Sequence, residues 1–338
     1  MTDTPGDAIG RDGQNPAVAI IIPAWRATAT IGRAVTSALA QSVPCQVIVV
    51  DDCSPDATAD MARAADERRG LLTVLRQDRN QGPAAARNRA ITMTSARWIA
   101  LLDADDVMET DRIASLLAVA EPHGTPAWDF VADDLWRVVE GVLDGPRTRL
   151  ISKDDFSPYT LDFENFVLGN LHGSRGARGE LGFLKPMMRR AFLEEAGLDY
   201  DETMRLGEDY DLYARALARG ARFRVTGPLG YLAVAREGSL SDRHGARDLG
   251  GIVAADRALL ANESLAVRDR QAVQRHLAQI HREWAWMRLI DAVKARAPIE
   301  ALRCFAGPPG IALSLLGRLA EQAMIRTRRR FSRVWARE

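Results

Sequence analysis

The chain has 338 residues, with 45 acidic and 45 basic side chains and therefore no formal net charge. Hydrophobic residues make up 47% and charged residues 27%, which excludes an intrinsically disordered or low-complexity chain. Without a surplus of cations, the protein as a whole is not expected to bind nucleic acid. The three cysteines form no CxxC pair, which disfavours a disulfide framework and a zinc knuckle and indicates a reducing cytoplasm.

The sequence carries no recognisable targeting segment. Residues 1–14 are polar where an export signal would need an apolar core. No run of about 18 apolar residues occurs, so we expect no transmembrane helix. We therefore expect a cytoplasmic protein, or one peripheral on the inner face of the cytoplasmic membrane.

The first hundred residues alternate between strand and helix patterns. Apolar runs predict buried strands, and the segments between them have helical spacing: strands over 17–22, 46–50, 71–75 and 98–102, and helices over 30–41, 56–65 and 83–92. This alternation is typical of βαβ units, so the predicted fold class is α/β with a Rossmann-like, mostly parallel sheet flanked by helices. Ligands of such sheets bind beyond the carboxyl ends of the strands.

The rest of the chain is more mixed and ends in helices. The predicted elements are a helix over 111–120, a strand near 130–131, a polar hairpin or loop over 141–155, a glycine- and arginine-rich segment over 169–182, helices over 187–196 and 210–218, and short strands over 223–225 and 230–235. Residues 246–300 are predominantly helical, and a basic helix follows over 311–337. We predict an α/β domain over 15–245, with halves 15–107 and 108–245, and a helical region over 246–338.

An acidic cluster follows the fourth predicted strand directly. Asp103, Asp105 and Asp106 are so close together that one of them should stay protonated unless a cation compensates their charge. Alternating carboxylates at a strand end can direct oxygens at one hard cation, Mg²⁺ or Mn²⁺. The alternative is a solvated turn in which Asp106 caps a helix that begins near Met108.

A second polar cluster follows the second and third strands. A carboxylate of Asp51 or Asp52 can accept the imide N–H of a uracil, and Gly82 lets the backbone approach a ligand closely. Arg87 can pair with a nucleotide phosphate. The alternatives are that the paired aspartates cap the helix after Pro55 and that Arg87 lies on a helix surface.

These motifs occur in a recognisable order: IPAW (22–25), VDDCSPDAT (50–58), NQG (80–82) with ARN (86–88), LDADD (102–106) and GED (207–209). Together they resemble the family 2 inverting glycosyltransferases, which have the GT-A fold, over residues 15–245. The segment GELGFLKPMMRR (179–190) is further similar to bacterial exopolysaccharide enzymes of the succinoglycan type. The resemblance implies a nucleotide-sugar half over 15–107 and an acceptor half over 108–245.

The resemblance also implies roles for individual residues. Pro23, Ala24 and Trp25 would line the base pocket, and Asp52 would bind the base. Gly82 and Arg87 would contact the nucleotide, and Ala104 would lie in the donor site. Asp103 would contact the ribose or the metal, and Asp105 would ligate Mn²⁺ or Mg²⁺ at the diphosphate. Asp209 would be the catalytic base, with Glu208 beside it.

The sequence departs from the family pattern at several positions. Arg26, Thr28 and Cys53 stand where members often carry Asn, Glu and Gly. Arg236 precedes the GSLS segment (238–241) where a metal-binding His is common. Because arginine cannot ligate a metal, Arg236 is expected to meet the diphosphate instead.

The predicted reaction is a metal-dependent, inverting transfer of a hexose from a nucleotide sugar, with UDP favoured, to a saccharide acceptor. A lipid-linked oligosaccharide of exopolysaccharide biosynthesis is the expected acceptor. Alternatives are a sugar nucleotidyltransferase, which would normally need a glycine-rich loop after the first strand, and a non-catalytic nucleotide-sugar-binding or scaffold protein. A nicotinamide oxidoreductase is disfavoured because no GxGxxG follows a strand. The segment QIHREW (279–284) also departs from the QxxRW motif of processive synthases.

The C-terminal segment has two interpretations. Its apolar residues alternate with many arginines, a composition that can lie on an anionic membrane: Ile311, Leu315, Leu319, Met324, Phe331 and Trp335. The alternative is a helix packed on the domain with a solvated arginine face. Trp284 and Trp286 are expected in the core rather than in a sugar platform.

Overall fold

The structure is a computed structural model that describes residues 16–66, 70–152, 157–171, 180–235 and 245–335, with side chains described as far as residue 325. Arg236 and most of the glycine- and arginine-rich segment lie outside these ranges. Within them, none of the helices combines the length and the apolar character that crossing a membrane requires.

The N-terminal half forms the predicted parallel sheet. Its strands are β1 (Val18–Ala24), β2 (Cys45–Asp51), β3 (Leu72–Arg76) and β4 (Trp98–Leu101). They pair in the order β3-β2-β1-β4, all parallel. Helices α1 (Ile31–Leu39), α2 (Thr58–Ala64) and α3 (Pro83–Thr92) connect them. Residues 18–22 are fully buried, because helices cover both faces of a parallel sheet.

The second half extends this sheet and adds a smaller one. Its elements are β5 (Val107–Met108), α4 (Arg112–Ala120), β6 (Phe130–Asp133), β7 (Trp136–Val139), β8 (Thr148–Arg149), β9 (Tyr159–Leu161), α5 (Phe163–Gly169), a 3-10 turn (Leu181–Phe183), β10 (Met187–Arg189), α6 (Arg190–Glu195), α7 (Glu208–Ala218), β11 (Phe223–Thr226) and β12 (Tyr231–Ala235). The large sheet has the order β3-β2-β1-β4-β10-β6-β11-β9, and the small one β5-β12-β7-β8.

The segment predicted as one helix over 187–196 is instead a strand followed by a short helix. Met187 and Met188 are fully buried in β10, which runs antiparallel to both β4 and β6 at the centre of the large sheet. The helix α6 begins only at Arg190. Pairing with two neighbouring strands overrides the weak local preference of a three-residue segment.

Four helices complete the chain: α8 (Ala246–Ala261), α9 (Val267–Lys294), α10 (Pro298–Arg303) and α11 (Pro309–Trp335). Helix α9 packs against α8 through a cluster that includes Leu249, Val253 and Ile280, and Trp284 borders this cluster. The first turns of α11 pack on α9, where Ile311 and Leu315 are buried and Trp286 borders the contact. Both tryptophans therefore contact apolar clusters, as predicted.

Candidate active site

A cleft of about 840 Å³ opens at the carboxyl ends of β1, β2 and β4. Its walls come from many parts of the chain, among them the ends of β1 and β2, the start of α3, the turn after β4, the 3-10 turn with Lys185, the start of α7, β12, and helices α8 and α9. The site residues predicted from the sequence that the structure describes all line this cleft: Pro23, Ala24, Trp25, Asp52, Gly82, Arg87, Asp103, Ala104, Asp105, Glu208 and Asp209. Arg236 lies outside the described residues.

One end of the cleft is bordered by the end of β1. Trp25 is 39% exposed, which leaves its ring available to a planar ligand. Arg26, with a φ of 51°, places its guanidinium 4.6 Å from the centre of that ring. The Arg26 backbone N–H donates to the Ser54 hydroxyl at 3.0 Å, which ties this turn to the end of β2.

Asp52 holds the neighbouring turn in place. Its Oδ1 accepts from the Gln81 backbone N–H at 2.7 Å and from Gln77 Nε2 at 2.9 Å, and its Oδ2 accepts from the Gly82 N–H at 2.7 Å. Gly82 has a φ of 96°, which a residue with a Cβ rarely adopts. Neither aspartate of the pair caps α2: the N-cap is Ala57, and Asp51 Oδ1 accepts from the Ser54 N–H.

Arg87 is buried and lines the cleft, and does not lie on a solvent-exposed helix surface. It is 3% exposed, and its guanidinium meets Glu208 Oε1 at 2.5 Å, Asp103 Oδ1 at 3.4 Å and Asp209 Oδ1 at 3.7 Å. Burial opposes its charged form, but the carboxylates of Asp209 and Glu208 raise the pKa of Arg87 above its usual value. The guanidinium therefore joins the end of β4 to the start of α7.

The three acidic residues after β4 have different surroundings. Asp103 faces Lys185 Nζ at 3.0 Å, and although burial opposes its ionisation, Lys185 and Arg87 lower its pKa. Asp105 lines the cleft. Asp106 accepts from the Tyr231 hydroxyl and the Val234 N–H, both at 2.8 Å, and burial together with its acidic neighbours raises its pKa to about 8.

Asp106 therefore anchors β12 and does not cap a helix. The residues after it form strand β5, and α4 begins only at Arg112. This corrects the alternative in which Asp106 caps a helix beginning near Met108. The remaining pair, Asp103 and Asp105, stays at the cleft surface.

The carboxylates of Asp103 and Asp105 suit a divalent ion whose remaining ligands come from the substrate. Among the residues that the structure describes, no three His, Cys, Asp or Glu side chains converge as a closed metal site. Both oxygens of Asp103 meet cationic side chains, while Asp105 borders the open cleft. Mg²⁺ is commonly held by one or two carboxylates together with substrate phosphates. The residues present fit an ion of that kind.

Glu208 and Asp209 are the first two residues of α7, where the helix dipole favours negative charge. Gly207 precedes them with a φ of 77° and directs the chain into the helix. Asp209 Oδ2 accepts from Lys185 Nζ at 2.9 Å. Its Oδ1 is buried and has no hydrogen-bond partner among the described residues. Arg87 Nη1 lies 3.7 Å from that oxygen, within ion-pair distance but beyond hydrogen-bond distance.

Two features of the cleft were not predicted as site residues. Lys185, between the 3-10 turn and β10, is 7% exposed and bridges Asp103 and Asp209. Burial opposes its charge, but the two carboxylates raise the pKa of Lys185. The only sequence signal was a single lysine in a largely apolar segment, GFLKPMM. The second feature is the wall formed by α8 and α9, whose residues lie far along the chain.

That helical wall is connected to the start of α7. The Tyr210 hydroxyl donates to Asp256 Oδ1 at 2.7 Å and lies 3.1 Å from His276 Nδ1, and all three side chains are buried. His276 and Ile280 of α9 border the cleft. The C-terminal helices are thus joined to the residue that follows Asp209.

Comparison with known proteins identifies the family. The family model described as "Glycosyl transferase family 2" matches residues 19–162. The chain is 44% identical to the succinoglycan biosynthesis protein ExoU of Rhizobium meliloti (strain 1021), over 81% of this chain and 78% of that protein.

Two solved structures share the fold at low sequence identity. The structure of S. aureus TarS 1-349 in complex with UDP-GlcNAc has a TM-score of 0.61 and 16% identity, covering 84% of this chain and 89% of that one. The mannosyltransferase PcManGT from Pyrobaculum calidifontis, in complex with GDP-Man and Mn²⁺, has a TM-score of 0.54 and 18% identity, covering 92% and 81%. The motif order, the α/β sheet and these similarities agree: the chain belongs to glycosyltransferase family 2 and has a GT-A-like fold.

Proposed function

We propose that this enzyme moves a hexose from a UDP-sugar to a hydroxyl of a lipid-linked saccharide, with inversion at the anomeric carbon, during exopolysaccharide biosynthesis. The observation that carries the proposal is Asp209 Oδ1, a buried carboxylate oxygen with no hydrogen-bond partner among the described residues, on the wall of the cleft. The similarity to a succinoglycan biosynthesis protein supports the exopolysaccharide role. The shared fold with a UDP-GlcNAc complex supports the donor class.

In the proposed mechanism Asp209 acts as the general base. The acceptor hydroxyl attacks the anomeric carbon, its proton passes to Asp209 Oδ1, and the bond from that carbon to the diphosphate oxygen breaks to release UDP. A single displacement inverts the configuration. Glu208 is paired with Arg87 at 2.5 Å. Asp209, although it is paired with Lys185, keeps one oxygen without a hydrogen-bond partner among the described residues. General-base assistance typically contributes a factor of about 10² to 10⁴ in rate.

The donor is proposed to bind along the ends of β1 and β4. Pro23, Ala24 and Trp25 would hold the uracil, next to the turn that Asp52 fixes. Asp105 would hold Mn²⁺ or Mg²⁺ against the diphosphate, and such an ion neutralises charge on the leaving group when bound. Ala104 would lie beside the donor. Contact of Asp103 with the ribose or the ion remains a prediction.

Arg87, Gly82 and Arg236 complete the proposed donor site. The contacts of Arg87 with Glu208, Asp103 and Asp209 suggest that it orders the carboxylates as well as meeting the nucleotide. Gly82 brings backbone close to the ligand at the start of α3. The predicted contact of Arg236 with the diphosphate falls outside the described residues and remains a prediction.

A lipid-linked acceptor would favour attachment at a membrane surface. In α11, where Ile311 and Leu315 are buried, Leu313, Leu316 and Met324 are 69%, 55% and 60% exposed. Five arginines follow in the sequence between positions 326 and 333. Exposed leucines combined with arginines are typical of helices that lie on anionic membranes. We propose that α11 attaches the enzyme peripherally to the inner face of the cytoplasmic membrane.

The donor proposal is tested by ligand binding. Calorimetry and thermal shift would compare UDP, UDP-glucose, UDP-galactose and GDP-mannose, each with and without Mn²⁺. We expect the uridine ligands to raise the melting temperature and Mn²⁺ to tighten their binding, and Asp105→Asn to abolish the Mn²⁺ effect. Asp111→Asn, an exposed residue outside the cleft, is the control. Equal UDP affinity with and without Mn²⁺ would contradict the metal assignment.

Turnover is tested by UDP release. The preferred nucleotide sugar would be incubated with membrane lipids extracted from an exopolysaccharide-producing bacterium. We expect release of UDP together with labelling of the lipid fraction. A well-folded enzyme that binds UDP but transfers no sugar from any of the nucleotide sugars would favour the non-catalytic alternative.

The membrane proposal has its own test. Leu313→Glu with Leu316→Glu is expected to abolish sedimentation with phosphatidylglycerol vesicles, because two leucines that would insert among the lipids become negative charges on an anionic surface. Val139→Glu, at an exposed apolar residue of the small sheet, is the control. Unchanged sedimentation of the double variant would remove the membrane role of α11.

A further inference from the structure

Lys185 brings a cation between two carboxylates that come from distant parts of the chain. Its Nζ lies 3.0 Å from Asp103 Oδ2, at the end of β4, and 2.9 Å from Asp209 Oδ2, in the first turn of α7. The side chain is buried and borders the cleft. The Lys185 ammonium therefore pairs with one oxygen of each carboxylate.

The backbone of Lys185 is itself firmly held. Its carbonyl oxygen accepts from Arg112 Nη2 at 2.8 Å. The Arg112 guanidinium is fully buried and forms two hydrogen bonds to Asp133 Oδ1, at 2.7 and 3.1 Å. Strand β10 begins two residues later, between β4 and β6. The ammonium is therefore presented from a rigid part of the sheet, which a surface lysine would not achieve.

The charges of the cluster explain why this cation is needed. Three carboxylates, Asp103, Glu208 and Asp209, meet two cations, Arg87 and Lys185. The formal sum is 2 − 3 = −1, and without Lys185 it would be −2. Carboxylates that share one buried site repel one another. Loss of the lysine would therefore push Asp209 away from Asp103 and from its present orientation.

The lysine also fixes the plane of the Asp209 carboxyl group. Oδ2 is occupied by the ammonium, whereas Oδ1 has no hydrogen-bond partner among the described residues. Rotation of the carboxyl group would break a charged hydrogen bond of 2.9 Å. The bound lysine thus holds the plane of the carboxyl group and leaves Oδ1 without a hydrogen bond, 3.7 Å from Arg87 Nη1.

We propose that Lys185 is a positioning residue for the transfer reaction: it bridges the donor-side carboxylate Asp103 to the base Asp209 and orients Asp209 Oδ1 towards the acceptor. This inference rests on the proposed function. It assigns no proton transfer to the lysine itself. A displacement of about 1 Å in a reacting group can cost about 10² in rate, which sets the expected effect.

The test compares Lys185→Met, Lys185→Arg and the wild type in the full chain. The UDP-release assay gives kcat and KM, calorimetry gives the UDP affinity with Mn²⁺, and circular dichroism gives the melting temperature. We expect Lys185→Met to lower kcat about 100-fold while the UDP affinity stays within about threefold of the wild type. Lys185→Arg, which retains the charge in a bulkier group, should recover part of that loss. Lys294→Met, at an exposed lysine in the last turn of α9, is the control.

A folded Lys185→Met enzyme with a kcat close to that of the wild type would overturn the proposal. So would a loss of UDP affinity that parallels the loss of kcat, because the lysine would then serve donor binding. If the Met variant does not fold, Lys185→Gln, which keeps a polar side chain without the charge, takes its place: wild-type kcat, or a parallel loss of UDP affinity, overturns the proposal. Absence of turnover in the wild type would instead refute the proposed function.

Discussion

Replacement of Asp209 by asparagine removes the proposed base with little change in shape. Lys185 Nζ donates to Asp209 Oδ2 at 2.9 Å, and in the variant it would donate to the amide oxygen instead. The amide nitrogen would then occupy the position of Oδ1. Because an amide NH₂ is a donor and cannot accept a proton, the acceptor hydroxyl would lose its base.

The size of the effect follows from the role of the carboxylate. General-base catalysis contributes a factor of about 10² to 10⁴, which corresponds to about 2.7 to 5.4 kcal/mol in the activation free energy. We expect kcat for Asp209→Asn to fall within this range. The proposed donor contacts lie on β1 and on the turn after β4. The UDP affinity should therefore be unchanged, or slightly higher because one negative charge is removed.

The assay measures UDP release under donor saturation, with calorimetry of UDP in parallel. The matched control is Asp211→Asn, the same substitution two residues later in α7, where the carboxylate pairs with Arg215 at 2.6 Å. The control should keep a kcat within about threefold of the wild type. If Asp209→Asn transfers sugar at a rate within about tenfold of Asp211→Asn, Asp209 is not the base.

Two further predictions concern the framework of the cleft. Arg112→Met should lower the free energy of unfolding by about 3 to 5 kcal/mol in urea titrations, because it leaves Asp133 buried without its ion partner. Arg97→Met, which removes a half-exposed pair with Glu121, should cost no more than about 1 kcal/mol, and equal urea midpoints would contradict the role of Arg112. Gly207→Ala should destabilise by about 1 to 3 kcal/mol more than Gly220→Ala. Both glycines have positive φ, but a Cβ at Gly207 would lie 2.8 Å from Ile252 whereas none of the described atoms lies within 4 Å of one at Gly220. Similar melting temperatures for these two variants would refute the proposed clash.

Much of the donor side of the cleft could be predicted from local patterns. Apolar runs at 17–22, 46–50 and 98–102 form three neighbouring parallel strands, and the polar residues that follow them meet at one edge of the sheet. The topology of a parallel sheet brings these strand ends together whatever the connecting helices contain. For this reason the positions of Asp52 and Asp103 in one cleft follow from the strand pattern alone.

The central antiparallel strand could not be predicted in the same way. Residues 187–196 are predicted as one helix, because a three-residue strand is too short to be distinguished from the start of a helix. Pairing with β4 and β6, which depends on distant residues, makes Met187–Arg189 a strand. The position of Lys185 depends on this pairing and therefore could not be derived locally.

The amino-acid sequence by itself determined the fold class and the order of the polar ends of the parallel strands, because these depend on local hydrophobic patterns; the resemblance of its motifs supplied the candidate base, which remains a prediction. Only the tertiary structure placed Lys185 between Asp103 and Asp209, buried Arg87 among three carboxylates, and set α8 and α9 along the cleft. Lys185 and Asp209 are 24 positions apart in the chain, and Arg87 and Glu208 are 121 positions apart. Only the folded chain sets the distances between these side chains.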